Sequence, residues 1–202
     1  MSADRFIIAL TGASGARFGL RLLWQMRAQH GQSDLIISPG FLKVLRAEEG
    51  LEIGDLDSLH QLLNARYGEN AGLHQFKFCD YHDIGERAAS GSSPYKAMIV
   101  SPCSMNTLAA IAHGLSTNLI ERAADVSLKE RRPLILCPRE TPLSAIHLEN
   151  MLTLTRAGAV IMPLMPGYYH KPATFDDLSD FMVDRIFRHA GVANRTIEPW
   201  QP

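Results

Sequence analysis

Cysteine is scarce, and the three present (Cys79, Cys103, Cys137) are an odd number in a chain of 202 residues, so no disulfide framework is expected and the thiols read as reduced and mostly buried. No stretch approaches the ~18 apolar residues of a membrane span. The opening MSADRFIIALTGASG holds too short an apolar run for a secretory signal. A soluble, cytoplasmic protein is expected. Neither charge is in excess: 20 Lys and Arg stand against 21 Asp and Glu, a net charge of -1. Without a global field to draw the chain to nucleic acid or a membrane surface, any anion site must be local. Repeats and low-complexity tracts are missing. So are C-x-x-C and H-E-x-x-H motifs, and His74, Cys79 and His82, whose spacings a zinc site tolerates, are therefore not read as ligands; no metal is expected.

What is present is a core. Apolar residues make up 46% of the chain, enough for one domain spanning 1–202. Short β-branched runs at Arg5 to Leu10, Asp34 to Ser38, Gln75 to Phe78, Lys96 to Ser101, Pro133 to Pro138 and Ala159 to Pro163 read as strands, most of them separated by helical periodicity. The runs are continuous rather than alternating, which implies burial on both faces and hence a parallel sheet between helices. The expected fold is a three-layer α/β/α sandwich with a mostly parallel, doubly wound sheet, Rossmann-like or flavodoxin-like. Helices are expected at Ala16 to Gln29, Ser104 to His113 and Leu119 to Arg132, the last with Asn118 and Glu121 as a capping pair. Two more are expected from Thr141, as N-cap before Pro142, to about Arg156, and from Asp176 to His189. The 52–94 segment is the least regular and reads as a flexible or partner-covered loop. Residues 192–202 read as a tail, frayed or docked.

Three strand ends carry small or hydroxylated residues. TGASGA at 11–16 runs from a strand straight into a helix, aiming N–H groups at an anion. It is not G-x-G-x-x-G, and strand two ends in Ser38-Pro39 where a dinucleotide fold wants an acid for the ribose, so NAD is disfavoured. G-x-S-x-G is missed at Ala16, which disfavours a hydrolase elbow. SPCSMNT at 101–107 sets Ser104 and Thr107 in a helix's first turn. With Gly12 to Ser14 and Ser38, these ends favour a mononucleotide phosphate, the alternative being plain turns and N-caps. Arg139 and Glu140 follow the fifth strand. Arg122 and Lys129, seven apart, share a helix face and with Arg139 and Arg185 are candidates to gather a second anion. Arg131 and Arg132 read as ordinary solvated surface, and His147 as a core or interface histidine.

TGASGA at 11–16, SPCSMNTLAAIAHG at 101–114, NLIERAADVSLKERRPL at 118–134, PRETPL at 138–143, HLENML at 147–152 and PGYYHKP at 166–172 together closely resemble the UbiX-type flavin prenyltransferases. The resemblance spans nearly the whole chain. It implies FMN, reduced, as the flavin, dimethylallyl monophosphate as the donor, no metal, and a prenylated FMN delivered to a UbiD-type decarboxylase. It further implies a homododecamer. On the matching positions, Gly12, Ala13, Ser14, Ser38, Ser104, Met105, Asn106, Thr107 and Arg139 contact FMN. Tyr169 and Arg185 hold the prenyl phosphate, joined by Lys129 and Arg122. Glu140 is the candidate for proton transfer at the flavin, with Ser14 and Glu48 also at the reacting centre, and Trp200 is the tail aromatic over the prenyl site. Pro39 departs from the family, whose members often carry Lys there, and so does the long 52–94 segment. The rival is an FMN-dependent cysteine decarboxylase of the same fold. Such relatives carry an active-site His and a P-A-S-A-N-T type motif, against Ser101-Pro102-Cys103-Ser104-Met105-Asn106-Thr107 here.

Overall fold

A computed structural model describes residues 4–29, 31–69 and 74–193. Six parallel strands, β1 (Arg5–Leu10), β2 (Gly31–Ile37), β3 (His74–Cys79), β4 (Ala97–Cys103), β5 (Leu134–Pro138) and β6 (Val160–Ile161), form one sheet in the order β3-β2-β1-β4-β5-β6. This is the Rossmann order rather than the flavodoxin one. The chain winds outward from β1 to β3 and then returns to β4 on the other side of β1, so the topological switch lies between β1 and β4. A ligand crevice is expected there, outside the carboxyl ends of the strands.

The continuous apolar runs are explained by two cores. Phe6, Ile8 and Leu10 point to one face, where α1 (Ala16–Met26), α2 (Pro39–Glu49), α3 (Leu56–Tyr67) and α7 (Phe175–Ala190) contribute Leu20, Phe41, Leu63 and Phe187. Ile7 and Ala9 point to the other, where α4 (Met105–Ala112), α5 (Leu119–Lys129) and α6 (Ala145–Arg156) contribute Leu108, Ala123 and Leu154. Strand side chains alternate between faces, so with helices on both sides every position of β1 past Arg5 is apolar and buried. Each such Leu or Ile contributes about 1.5–3 kcal/mol.

Several expected boundaries move. The helix expected from Thr141 begins at Ala145: Ser144 accepts the His147 N–H at 3.2 Å and its own N–H reaches His147 Nδ1 at 3.2 Å, whereas the Thr141 hydroxyl donates to the Glu140 carbonyl. His147 is thus a capping residue, half-buried on the first turn, and not a core histidine. The Asn118 side chain caps α5 at Glu121 N, but the Glu121 carboxylate turns away to the Thr117 N–H and hydroxyl at 2.8 and 2.7 Å. Within 52–94 the structure forms all of α3, capped reciprocally by Asp55 and Ser58, and the edge strand β3. Helix α2 was not expected; its signature is Ser38 as N-cap, Pro39 in the first turn and buried Phe41 and Leu45 four apart.

Candidate active site

The carboxyl ends of β1, β2, β4 and β5 converge on one crevice. The Thr11 hydroxyl donates to the Pro102 carbonyl at 3.0 Å and receives the Ser104 N–H at 2.7 Å, tying the β1 and β4 exits together. Beside it, Gly12 and Gly40 meet backbone to backbone: a Cβ on Gly12 would lie 3.0 Å from both the Cα and the carbonyl carbon of Gly40. That close approach brings α2 against the β1–α1 turn. It also carries Ser38 to the crevice, where its buried hydroxyl accepts the Phe41 N–H at 3.1 Å and keeps its own proton to donate. At β4 the Ser104 oxygen accepts the Thr107 N–H at 3.2 Å and its hydroxyl donates to Thr107 Oγ1 at 3.0 Å, leaving the Thr107 proton free to donate. Hydroxyls with a proton to spare, placed just after the ends of β2 and β4 on either side of the β1–α1 turn, suit a phosphate and ribityl chain. On the chemistry of these donors, a mononucleotide such as FMN fits.

The start of α1 is where the structure departs from expectation. Gly15, in the left-handed region at φ 101, turns the chain so that its N–H and that of Ala16 point outward. No external anion is needed there. The Glu48 carboxylate, from the last turn of α2, receives Gly15 N–H at 3.0 Å on both oxygens and Ala16 N–H at 2.9 Å. Burial by itself raises the pKa of Glu48, but the Ser14 hydroxyl, the two N–H groups and the Arg139 charge outweigh it and hold the carboxyl below the usual range. Arg139 in turn donates Nε to the Ser14 carbonyl at 3.2 Å. Ser14, Glu48 and Arg139, expected at the site from separate stretches, are thus one connected group. Glu140 is exposed beside Arg139 and accepts the Thr141 N–H at 3.0 Å. It lines an adjoining cleft with Leu143, Met151, Pro163 and Met165. Ala13 is buried in the turn, Met105 packs on the second core and Asn106 is exposed on the first turn of α4.

The four cations expected to gather do not meet within one chain. Lys129 ends α5, beside Gly91 and paired with Glu130, at the edge of the sheet from which the strands start. The length of β5, about 16 Å for five residues, separates that edge from Arg139. Arg122 lies on the outer face of α5, paired with Asp125 at 2.9 Å. Tyr169, in the loop after β6, sets its ring edge-on to Phe181 of α7 at 5.7 Å, and Arg185 is exposed one turn further along that helix with no ion pair among the described residues. Trp200 lies outside the described residues. His74 and Cys79 are accounted for singly: His74 is buried against Ser33 at 2.7 Å, and burial pushes the Cys79 thiol up to about 12. Among the described residues no group of three or more His, Cys, Asp or Glu is placed to hold a metal, and no helix is long and apolar enough to cross a membrane.

Residues 1–187 match the family model described as Flavoprotein. The chain is 44% identical over 198 residues to the flavin prenyltransferase UbiX of Pseudomonas aeruginosa, covering 98% of this chain and 94% of that protein. It belongs to the UbiX-type flavin prenyltransferases. The family is one of enzymes, and the fold agrees with it. The crystal structure of AnUbiX (PadA1) in complex with FMN and dimethylallyl pyrophosphate superposes with a TM-score of 0.85 at 37% identity, covering 98% of each chain. A dodecameric FMN-dependent UbiX-like decarboxylase from Escherichia coli O157:H7 gives 0.83 at 37% identity, covering 98% of this chain and 100% of that one. The FMN-dependent cysteine decarboxylase TvaF, the rival reading, matches with a TM-score of 0.57 at 16% identity, a likeness of fold alone.

Proposed function

We propose that this flavin prenyltransferase joins the dimethylallyl group of dimethylallyl monophosphate to N5 and C6 of reduced FMN, and that the prenylated FMN passes to a UbiD-type decarboxylase. The observation that carries this reading is the ionised Glu48 carboxylate on the amino end of α1, where a dinucleotide fold binds a phosphate. A carboxylate there repels a second nucleotide phosphate and supplies a base instead. In the reaction the donor's C1–O bond breaks as C1 bonds to N5. C6 then joins C3, protons leave N5 and C6, one returns to C2, and phosphate is released.

Gly12 to Ser14, Ser38, Ser104 to Thr107 and Arg139 hold the flavin. Glu140 carries the proton transfer at the flavin, and Glu48, kept charged by Ser14 and the α1 N–H groups, accepts a proton at the prenyl site. Tyr169 orients the donor phosphate, and Arg185, Lys129 and Arg122 stabilise it as it departs, work that a metal ion does in other prenyl transfers. Aromatic faces at Tyr169 and Trp200 favour a developing allyl cation by about 1–2 kcal/mol when desolvated. Because Lys129 and Glu48 lie at opposite edges of one sheet, this division of labour needs Lys129 and Arg122 of a neighbouring copy. A homododecamer supplies one, and the exposed Ile146, Leu148, Leu152 and Met165 are apolar surface for such contacts to cover. Free, buried thiols suit a cytoplasmic setting.

The test is anaerobic incubation with reduced FMN and dimethylallyl monophosphate, followed by mass spectrometry of the flavin. A gain of one five-carbon unit is expected. Flavin of unchanged mass, with FMN bound, refutes the reading.

A further inference from the structure

The residue after Glu48 is bound as tightly as Glu48 itself, to different partners. The Glu49 side chain, 7% exposed, receives Arg17 Nε on one oxygen at 2.7 Å and an Arg66 guanidinium N–H on the other at 2.7 Å. Arg17 follows Ala16 in the first turn of α1, and Arg66 stands in the last turn of α3. Successive helical side chains point about 100° apart, so one carboxylate reaches the backbone at the start of α1 while its neighbour reaches into the cleft between α1 and α3. Gly50, at φ 66, ends α2 immediately afterwards. With no further turn of helix to hold it, the carboxyl end of α2 is fixed by these side-chain ties.

We propose that Glu49, clamped between Arg17 and Arg66, is a positioning residue that holds the Glu48 carboxylate on the amino end of α1 in register with Ser14 and Arg139. The proposal rests on the reading of Glu48 as an active-site base. The groups facing Glu48 are Ser14 and the N–H groups of Gly15 and Ala16 from α1, and Arg139 from the end of β5. Those around Glu49 are Arg17 from α1 and Arg66 and Tyr67 from α3, with Asp176 of α7 acting on Arg17 and Tyr67. When the clamp is removed, the exposed Glu48 carboxylate drifts from the hydrogen bonds that hold its pKa down. Its pKa then rises toward the ordinary value of a glutamate.

The experiment titrates Glu48 directly by carboxyl carbon-13 NMR on the full chain, its resonance assigned by its loss in Glu48→Gln, in parallel with the pH profile of flavin prenylation. Glu49→Gln, of the same shape without the charge, removes a neighbouring carboxylate and frees Arg17 and Arg66, which alone would lower the Glu48 pKa; a rise of about one unit, the expected result, therefore reads the loss of the hydrogen bonds at α1. The acid limb of the prenylation profile should move up by the same amount, so that the rate falls about tenfold at pH below both limbs and little near pH ~7, with the KM for donor within twofold. Arg66→Gln, which leaves the Arg17 bond, should shift the titration the same way by less, and it decides the matter if Glu49→Gln does not fold. An unmoved or lowered Glu48 titration in folded variants of lower melting temperature overturns the proposal, leaving Glu49 a purely structural tie. Full prenylation by Glu48→Gln overturns instead the assignment of Glu48 as base, whatever the titration gives.

Discussion

Gly12→Ala tests whether the contact between the β1–α1 turn and α2 holds the site together. The new methyl carbon lands 3.0 Å from the Cα and the carbonyl carbon of Gly40 and 3.2 Å from its oxygen. Carbon atoms at ease sit about 3.5–4.0 Å apart. The two backbones must therefore part by about 0.5 Å, and no flexible side chain is there to absorb the movement. Overpacking of this kind costs about 1–3 kcal/mol. At about 2–4 °C per kcal/mol for a chain of this length, melting should fall by about 2–12 °C. Because α2 carries Ser38 at one end and Glu48 at the other, its displacement should also weaken FMN, by about tenfold for each ~1.4 kcal/mol lost. Gly54→Ala is the control: its methyl group meets nothing within 4 Å, so stability should hold or rise by about 0.4–1 kcal/mol. Melting at one fixed protein concentration, since assembly adds to apparent stability, and titration by flavin fluorescence read both effects. Parent-like melting and affinity in Gly12→Ala would show that the glycine pair is incidental to the site.

Burial lowers the His74 pKa to about 4, so the native ring stays neutral while the unfolded chain takes a proton near pH ~6.5. Stability from this group is whole above that pH and is lost as pH falls toward 4, with about 2 kcal/mol gone by pH ~5. His74→Gln should flatten this limb in urea denaturation compared at pH 7 and 5, and equal slopes for the two proteins count against the assignment. Arg185→Ala should abolish prenyl transfer with FMN affinity within a few-fold of parent, whereas Tyr169→Phe should cost about 0.5–1.5 kcal/mol, one neutral hydrogen bond. Loss of FMN by Arg185→Ala, with transfer intact on the flavin that remains, contradicts the division into two anion sites. Lys129→Ala and Glu48→Gln, each inactive alone, should recover part of the prenylation rate when co-expressed, because their residues serve one site from different chains. No recovery in mixed oligomers places both residues in the same chain's site.

The sequence by itself determined the layers, the parallel sheet and the hydroxylated strand ends, because burial on both faces writes a continuous apolar run and a cap such as Asn118 at Glu121 joins residues only three apart. It was ambiguous where two local signals compete, as at Thr141 and Ser144, where the reciprocal bond with His147 favours the later cap. Helix α2 was legible in principle through Ser38, Pro39 and Phe41, though its short apolar stripe follows directly on the apolar run of β2. Only the tertiary structure decided what fills the amino end of α1. Glu48 lies 33 positions from Gly15, and no periodicity relates them; the contact exists because the Gly12–Gly40 approach sets the angle of α2. The seven-residue spacing of Arg122 and Lys129 puts both on one helix face, but says nothing of where along the sheet that face ends. That depends on the direction in which α5 runs back to β5, which leaves Lys129 at the edge of the sheet opposite the crevice, since a pattern along a chain carries periodicity and not the position of one element against another.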